Sequence, residues 1–309
     1  MTTLTTRDFH GWPNTQFLSN GTVELILTAD VGPRILSFAL EGGPNVMKLF
    51  TEQLGQIGGS DFRAYGGHRL WHAPESITRT YTPDNSALQV EPITDGVRVT
   101  MPADSLAGIE KSLAVTLAQT GANATVRHTL TNRTLWPVTL APWALSQVTP
   151  GGMQIVPLPP YEPHGPDSLL PTHTFTLWSY TNFADPRWRL SGQYVTLRQD
   201  PAGADSQKFG LTVPAGWCAY AFQGHLFVKR FAWDSAATYP DRGVNYETYT
   251  DSDMLELETL GPLTTLGPGE SVSHVEHWAL FSDVAEPQTD TDITRDVLPR
   301  VLSVPPVSV

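Results

Sequence analysis

Apolar and polar residues alternate with period two along much of the chain. In GVRVTM (96–101), Val97, Val99 and Met101 fall on one face and Arg98 and Thr100 on the other. NATVRHTLTN (123–132) sets Val126, His128 and Leu130 against Thr125, Arg127 and Thr129. Successive side chains of a strand point to opposite faces, so this is the pattern of half-buried strands. TVELILT (22–28) and RILSFAL (34–40) form another pair, broken by the turn-rich ADVGP. Strands are also expected over 110–118, 137–147, 173–180, 193–199, 208–213, 217–222, 225–231, 254–260 and 271–281. Helical pattern is confined to DTDITRDVLPRVLSV (290–304), where Pro299 limits its length. A dozen or more short strands with so little helix predict an all-β fold, a large antiparallel β-sandwich. Residues 1–309 are expected to form one domain. The Pro-rich PLPPYEPHGPDSLLP (157–171) is the one conceivable boundary and reads instead as a long excursion over one face.

Composition narrows the partners. Hydrophobic residues make up 40% of the 309, with 9 Trp, 12 Phe and 9 Tyr, enough for a sizeable core. Charged residues are only 16%, against roughly 25% in an average soluble domain. The net charge of -12 argues against nucleic acid and anionic membrane, both of which call for basic patches. Cys218 is the single cysteine, so no internal disulfide can form, and it reads as a small buried hydrophobe. The first residues contain no apolar run, and no stretch approaches the roughly 18 apolar residues of a membrane span. The expectation is a soluble, cytoplasmic protein with neutral, polar ligands.

Three groups of residues could carry chemistry. YGGHRLWHAPES (65–76) places His68 and His72 four apart, a spacing at which a helix presents two zinc ligands. Arg69 stands where such a site would need its Glu base, and Gly66-Gly67 and Pro74 oppose a helix, so no metal is expected. The segment reads instead as a loop leading into a strand, displaying His68, Arg69, Trp71 and His72. In DMLELETLGPL, Glu256 and Glu258 share one strand face and Leu255 and Leu257 the other. Two carboxylates about 7 Å apart along a strand, if desolvated, repel and raise one pKa into the range of a working acid or base. The abundant tryptophans suit the apolar faces of sugar rings. His274 and Glu276, in HVEHWAL, read as the polar outside of the last strand.

The order of these pieces resembles the galactose mutarotase-like family. The opening NGTVELILTADVGPRILSFALEGGPNVM, then YGGHRLW, then PVTLAPWALSQV, and finally MLELETLGPLTTLGPGESVSHVEHWALF are each similar to a segment of that family, in the same order. The closing segment has the family's late strand with a Glu, its LxPGE turn and its last strand. The resemblance implies a β-supersandwich that binds a hexose or sugar-like ligand across a concave face, with no cofactor. It is closest to an uncharacterised bacterial branch. The family's base is a Glu on the late strand, and Glu256 or Glu258 occupies that place. Its acid is a His of the middle strand, where Trp143 stands here. Its other His, before Gly-Gly, aligns with Tyr65. His68, Arg69 and His72 lie just downstream as possible substitutes.

The catalytic candidates are therefore Glu256, Glu258 and His68, and the ligand-binding candidates are Arg69, His72, Trp71, Tyr65 and Trp143. Three functions compete. One is an aldose 1-epimerase-type isomerase. A second is a sugar-binding protein without turnover. The third is a glycoside hydrolase or lyase using Glu256 and Glu258, or one of them with Glu75.

Overall fold

A computed structural model describes residues 1–104, 106–203 and 205–308. Its strands form two antiparallel sheets packed face to face. The first has eleven strands. Ten of them run in spatial order Thr3–Phe9, Trp12–Ser19, Val23–Thr28, Arg34–Leu40, His68–Ala73, Val138–Val148, Leu255–Leu260, Tyr246–Thr250, Gln207–Leu211 and Phe175–Leu177. The eleventh, Thr264–Leu266, pairs with the start of Val138–Val148. The second sheet has ten strands, in order Trp188–Leu190, Tyr194–Arg198, Met153–Pro157, Trp217–Phe222, His225–Phe231, Ser271–Phe281, Asn123–Asn132, Ile109–Leu117, Gly96–Met101 and Gln89–Ile93. This is the large antiparallel all-β sandwich that the alternation predicts, in the supersandwich form that the resemblance implies. No helix is long and apolar enough to cross a membrane.

The period-two faces pack as expected. Val97, Val99, Leu113, Val115, Val126 and Leu130 of the second sheet meet Leu25, Leu27, Ile35, Phe38, Leu255 and Leu257 of the first in one core. Cys218 lies in that core, and burial pushes its thiol up to about 12. The terminal helical segment spans Asp290–Asp292, Ile293–Val297 and Leu298–Ser303. It opens on a Thr289/Asp292 capping box, and it lays Ile293, Val297 and Val301 against Ile155, Ala219 and Val228 on the outside of the second sheet. Residues 158–171, beyond the end of the Met153–Pro157 strand, contain no strand and run as an irregular excursion.

Strands that the pattern missed carry no alternation to read. Thr3–Phe9 is almost wholly exposed, whereas Met153–Pro157 is buried on both faces.

The last strand corrects the sequence reading. His274 and Glu276 do not face solvent; they lie between the sheets, 5% and 0% exposed. The same strand face also buries Trp278 at 0% exposure. Glu276 Oε1 pairs with Lys229 Nζ at 2.9 Å, both groups fully buried. Trp278 Nε1–H donates to Glu276 Oε2 at 2.6 Å, and the Thr259 hydroxyl also donates to Glu276. That leaves His274 Nε2–H to donate to Thr259 Oγ1 at 2.7 Å.

Lys229 donates to Ser146 Oγ at 3.0 Å, and Ser146 Oγ meets His68 Nδ1 at 2.8 Å. His68 Nε2 meets His128 Nε2 at 2.6 Å, and His128 Nδ1 meets the His274 carbonyl at 2.9 Å. A carbonyl can only accept, so His128 carries its proton on Nδ1 and takes one from His68 Nε2. His68 then accepts from Ser146. Among the described residues, no fully buried side-chain nitrogen or oxygen of this network lacks a partner, which is the condition for placing polar groups in a dry core. Burial, opposed by Glu276, lowers the pKa of His68, His128 and His274, the last to about 3, so all three are neutral at pH 7.

Two outcomes follow from this interior. Lys229→Met leaves Glu276 buried and unpaired, and urea unfolding should show a loss of about 3–5 kcal/mol. The three histidines bind protons in the unfolded chain at its ordinary pKa but resist them when folded. Their neutral burial contributes stability that is present above pH about 6.5 and lost as pH falls below it. The urea midpoint should therefore drop between pH 6.5 and 4.5, before most carboxylates titrate. A flat profile in that window would contradict the arrangement.

Candidate functional site

The opposite face of the first sheet carries the candidate site, and the register of its central strands builds it. Across the sheet, Arg69, Leu145, Glu258 and Glu247 form one row of neighbours. Gln147, Glu256, Tyr249 and Lys208 form the next, and Trp71 pairs with Trp143. Each row is a line of directly opposed residues, close enough for side chains to interact.

Gly66 and Gly67 bring the His68–Ala73 strand into this sheet. Both have positive φ, and a Cβ on either would lie 2.1–2.2 Å from a backbone oxygen of Lys48 or Ile35. Only glycine permits that approach. From there the strand alternates: Arg69 and Trp71 point to the concave face, His68 and His72 to the sandwich interior.

The concave side holds a cavity of about 280 Å³. Arg69, Trp71, Trp143, Leu145, Gln147, Lys208 and Glu256 line it from the sheet. Phe62, Ala64, Glu75, Tyr81, Tyr180, Tyr249 and Met254 also line it. Phe62, Trp71, Tyr81 and Trp143 form an aromatic corner, with Trp71 and Trp143 centroids 5.3 Å apart. The Arg69 guanidinium lies 4.2 Å from the Trp71 ring and 5.6 Å from Phe62. Its Nη2 is 3.5 Å from Glu256 Oε1, while the buried Nε and Nη1 have no partner among the described residues.

Glu256 is 7% exposed and accepts from Gln147 Nε2 at 2.9 Å. Burial and then the charge of Glu258 raise its pKa to about 7, against the pull of Arg69, Lys208 and Gln147. Glu258 is 0% exposed and does not reach the cavity. Trp143 Nε1–H donates to it at 2.9 Å, and Lys208 Nζ at 3.0 Å. Lys208 also pairs with Glu247 at 2.9 Å. Burial works against the Lys208 charge, but Glu258, Glu247 and Glu256 outweigh it and hold the pKa well above the ordinary lysine value. The result is a cavity carboxyl, Glu256, poised near neutrality and backed by a buried one, Glu258, locked in an ion pair.

The sequence candidates are thus divided by face. Glu256, Arg69, Trp71 and Trp143 come together in the cavity, with Glu258 directly behind. His68 does not face it, which corrects the sequence reading; it is bonded to Ser146 and His128 in the interior. His72 also points inward, is 3% exposed, and has its Nε2 unpartnered. Burial lowers its pKa to about 3. Tyr65 is likewise displaced from the ligand wall. It packs edge-on against Trp12, and its hydroxyl donates to Asn85 Oδ1 at 2.9 Å.

Lys208, Gln147, Tyr81, Tyr180 and Tyr249 were not foreseen. Gln147 had a readable signal, two and four residues beyond Leu145 and Trp143 on the same strand face. Lys208 had one too, a lone cation in a strand whose other residues are buried.

His68, His128 and Glu276 have metal-ligand chemistry, with ligand atoms within 4.8 Å of one another. Their lone pairs are committed to the interior network, and the Lys229 ammonium stands where a cation would sit against Glu276.

The sequence matches no protein-family model, and no curated protein matches it. Solved structures do match in fold. A galactose mutarotase-like protein from Lactobacillus casei superposes with a TM-score of 0.56 at 10% identity, over 87% of this chain and 100% of the other. A candidate aldose 1-epimerase from Klebsiella pneumoniae gives 0.56 at 11% identity, over 97% and 86%. Another from Escherichia coli K12 gives 0.53 at 13% identity, over 91% and 100%. The chain therefore has the galactose mutarotase-like fold, in a sequence far from these neighbours.

The cavity electrostatics can be checked by titration. Glu258→Gln removes the neighbouring charge and should bring the Glu256 carboxyl below 7. Arg69→Leu removes a stabilising cation and should raise it. Carboxyl ¹³C NMR across pH reads both shifts, and movement in the same direction in the two variants would refute the assignment.

Proposed function

We propose that this protein binds a sugar of monosaccharide size in the concave cavity and acts on it as an aldose 1-epimerase-type isomerase with Glu256 as base. The observation that carries this is the placement of Glu256, a carboxyl with pKa near 7 on the cavity floor, between Arg69 and Gln147 and beside two tryptophans. A cavity of about 280 Å³ lies at the lower end of small-ligand pockets and suits one sugar ring rather than a polymer. Trp71 and Trp143 offer apolar faces to the ring C–H groups. Arg69 and Gln147 line the cavity and bring a cation and an amide toward its hydroxyls. The sheet strands that line the cavity run from His68 to Leu260, which supports reading residues 1–309 as one domain.

In this mechanism Glu256 takes the proton of the anomeric hydroxyl while a donor protonates the ring oxygen. The C1–O5 bond breaks, the aldehyde rotates about C1–C2, and the ring recloses with the proton transfers reversed. A base with pKa near 7 is half-ionised at neutral pH, where it both accepts and returns a proton readily.

The acid is the weaker element. Among the described residues no histidine lines the cavity; its hydroxyls belong to Tyr81, Tyr180 and Tyr249. Burial pushes Tyr180 up to about 12 and Tyr81 higher still, which makes both reluctant donors. That feature favours a second reading, a sugar-binding protein without turnover.

Proton NMR of freshly dissolved α-D-glucose and α-D-galactose separates the two. Isomerase action appears as anomeric exchange faster than the blank, reduced at least 100-fold in Glu256→Gln. Saturation transfer to the sugar without faster exchange would establish binding alone and overturn the isomerase. Neither signal would exclude these hexoses as ligands.

A further inference from the structure

Both sheets end at the same side of the sandwich, in the short edge strands Phe175–Leu177 and Trp188–Leu190. Half of the exposed large apolar side chains among the described residues fall between 161 and 190. Leu170 is 80% exposed and Leu177 53%. The burial along Phe175–Leu177 is inverted, with both apolar residues exposed and Thr176 buried. Phe175 stacks on the core residue Phe209, so this exposed face is the open rim of the sandwich interior.

Two features distinguish this edge. Natural sheets protect free edges with very short strands, Lys, Pro or inward charges; this edge strand is three residues long, and no Lys or Arg occurs between Arg133 and Arg187. Its free peptide groups also match themselves. Thr212 N–H donates to the Thr174 carbonyl and Thr174 N–H to the Thr212 hydroxyl, so residues 174 and 176 turn their peptide groups toward Gln207–Leu211 and Phe175 and Leu177 turn theirs outward. An antiparallel partner centred on Thr176 opposes Phe175 of one copy to Leu177 of the other. Both then meet outward-facing groups, and a two-fold axis satisfies the register without any offset.

We propose that the protein is a two-fold dimer joined through Phe175–Leu177, with the first sheet continuous across the interface. A second copy fits better than a foreign strand on charge as well. The only Asp, Glu, Lys or Arg residues between 134 and 186 are Glu162, Asp167 and Asp185, so two chains of net charge -12 would meet at a stretch much poorer in charge than the rest of the chain.

Light scattering coupled to size exclusion, on the full chain across micromolar concentrations, tests this. The expected particle contains two chains of 33.8 kDa. Leu177→Lys, at a half-exposed position, should weaken the dimer at least tenfold with an unchanged near-UV circular dichroism spectrum. Leu302→Lys, an exposed apolar residue of the terminal helix, should not weaken it. Amide exchange at Phe175 and Leu177 should slow as concentration rises. A monomer throughout the range would overturn the proposal, and so would a dimer indifferent to Leu177→Lys.

Discussion

The ion pair between Lys229 and Glu276 is the contact on which the rest of the molecule depends. It joins neighbouring strands of the second sheet at a depth where an uncompensated charge would be prohibitive. Through Ser146 and Thr259 it also grips two strands of the first sheet. Those strands, Val138–Val148 and Leu255–Leu260, carry Gln147 and Glu256 on their other faces. Polar groups on both faces of one strand make register doubly specified. A one-residue slip would put Glu256 into the core and Leu257 into the cavity, and would also dismantle the histidine network.

Desolvation does opposite work on the two sides of this sheet. In the interior, the Lys229 ammonium, with donors from Thr259 and Trp278, keeps Glu276 ionised despite burial. On the concave side, burial and the like charge of Glu258 outweigh the Arg69 guanidinium 3.5 Å away, and the Glu256 pKa rises. The same residue type thus serves as a structural anion in one place and a titratable group in the other, decided by whether neighbouring charges outweigh burial.

Much of this was legible in the chain. Alternation revealed the sandwich, the inward leucines at 255 and 257, and the shared face of Glu256 and Glu258. It also held the information that was misused: in His68–Ala73 the same rule separates His68 from Arg69, but reading the segment as a loop suppressed it. The interior network was illegible for a different reason. His128 already stood on an apolar face, whereas His274 and Glu276 follow a polar stretch, and only the opposing sheet, bringing Lys229 and His68 from distant segments, makes their burial tolerable. Lys208 and the tyrosines of the rim come together by topology that local pattern does not encode.

Trp71 and Trp143 have consequences beyond packing. Their rings lie 5.3 Å apart at 64°, close enough for the two indole transitions to couple and skewed enough for the coupling to be chiral. One of the pair donates its N–H to a buried carboxylate, which lowers its excitation energy relative to the other. The cavity therefore carries a built-in optical label, an exciton pair at its floor whose sign and splitting depend on the angle between two rings that any occupant would touch.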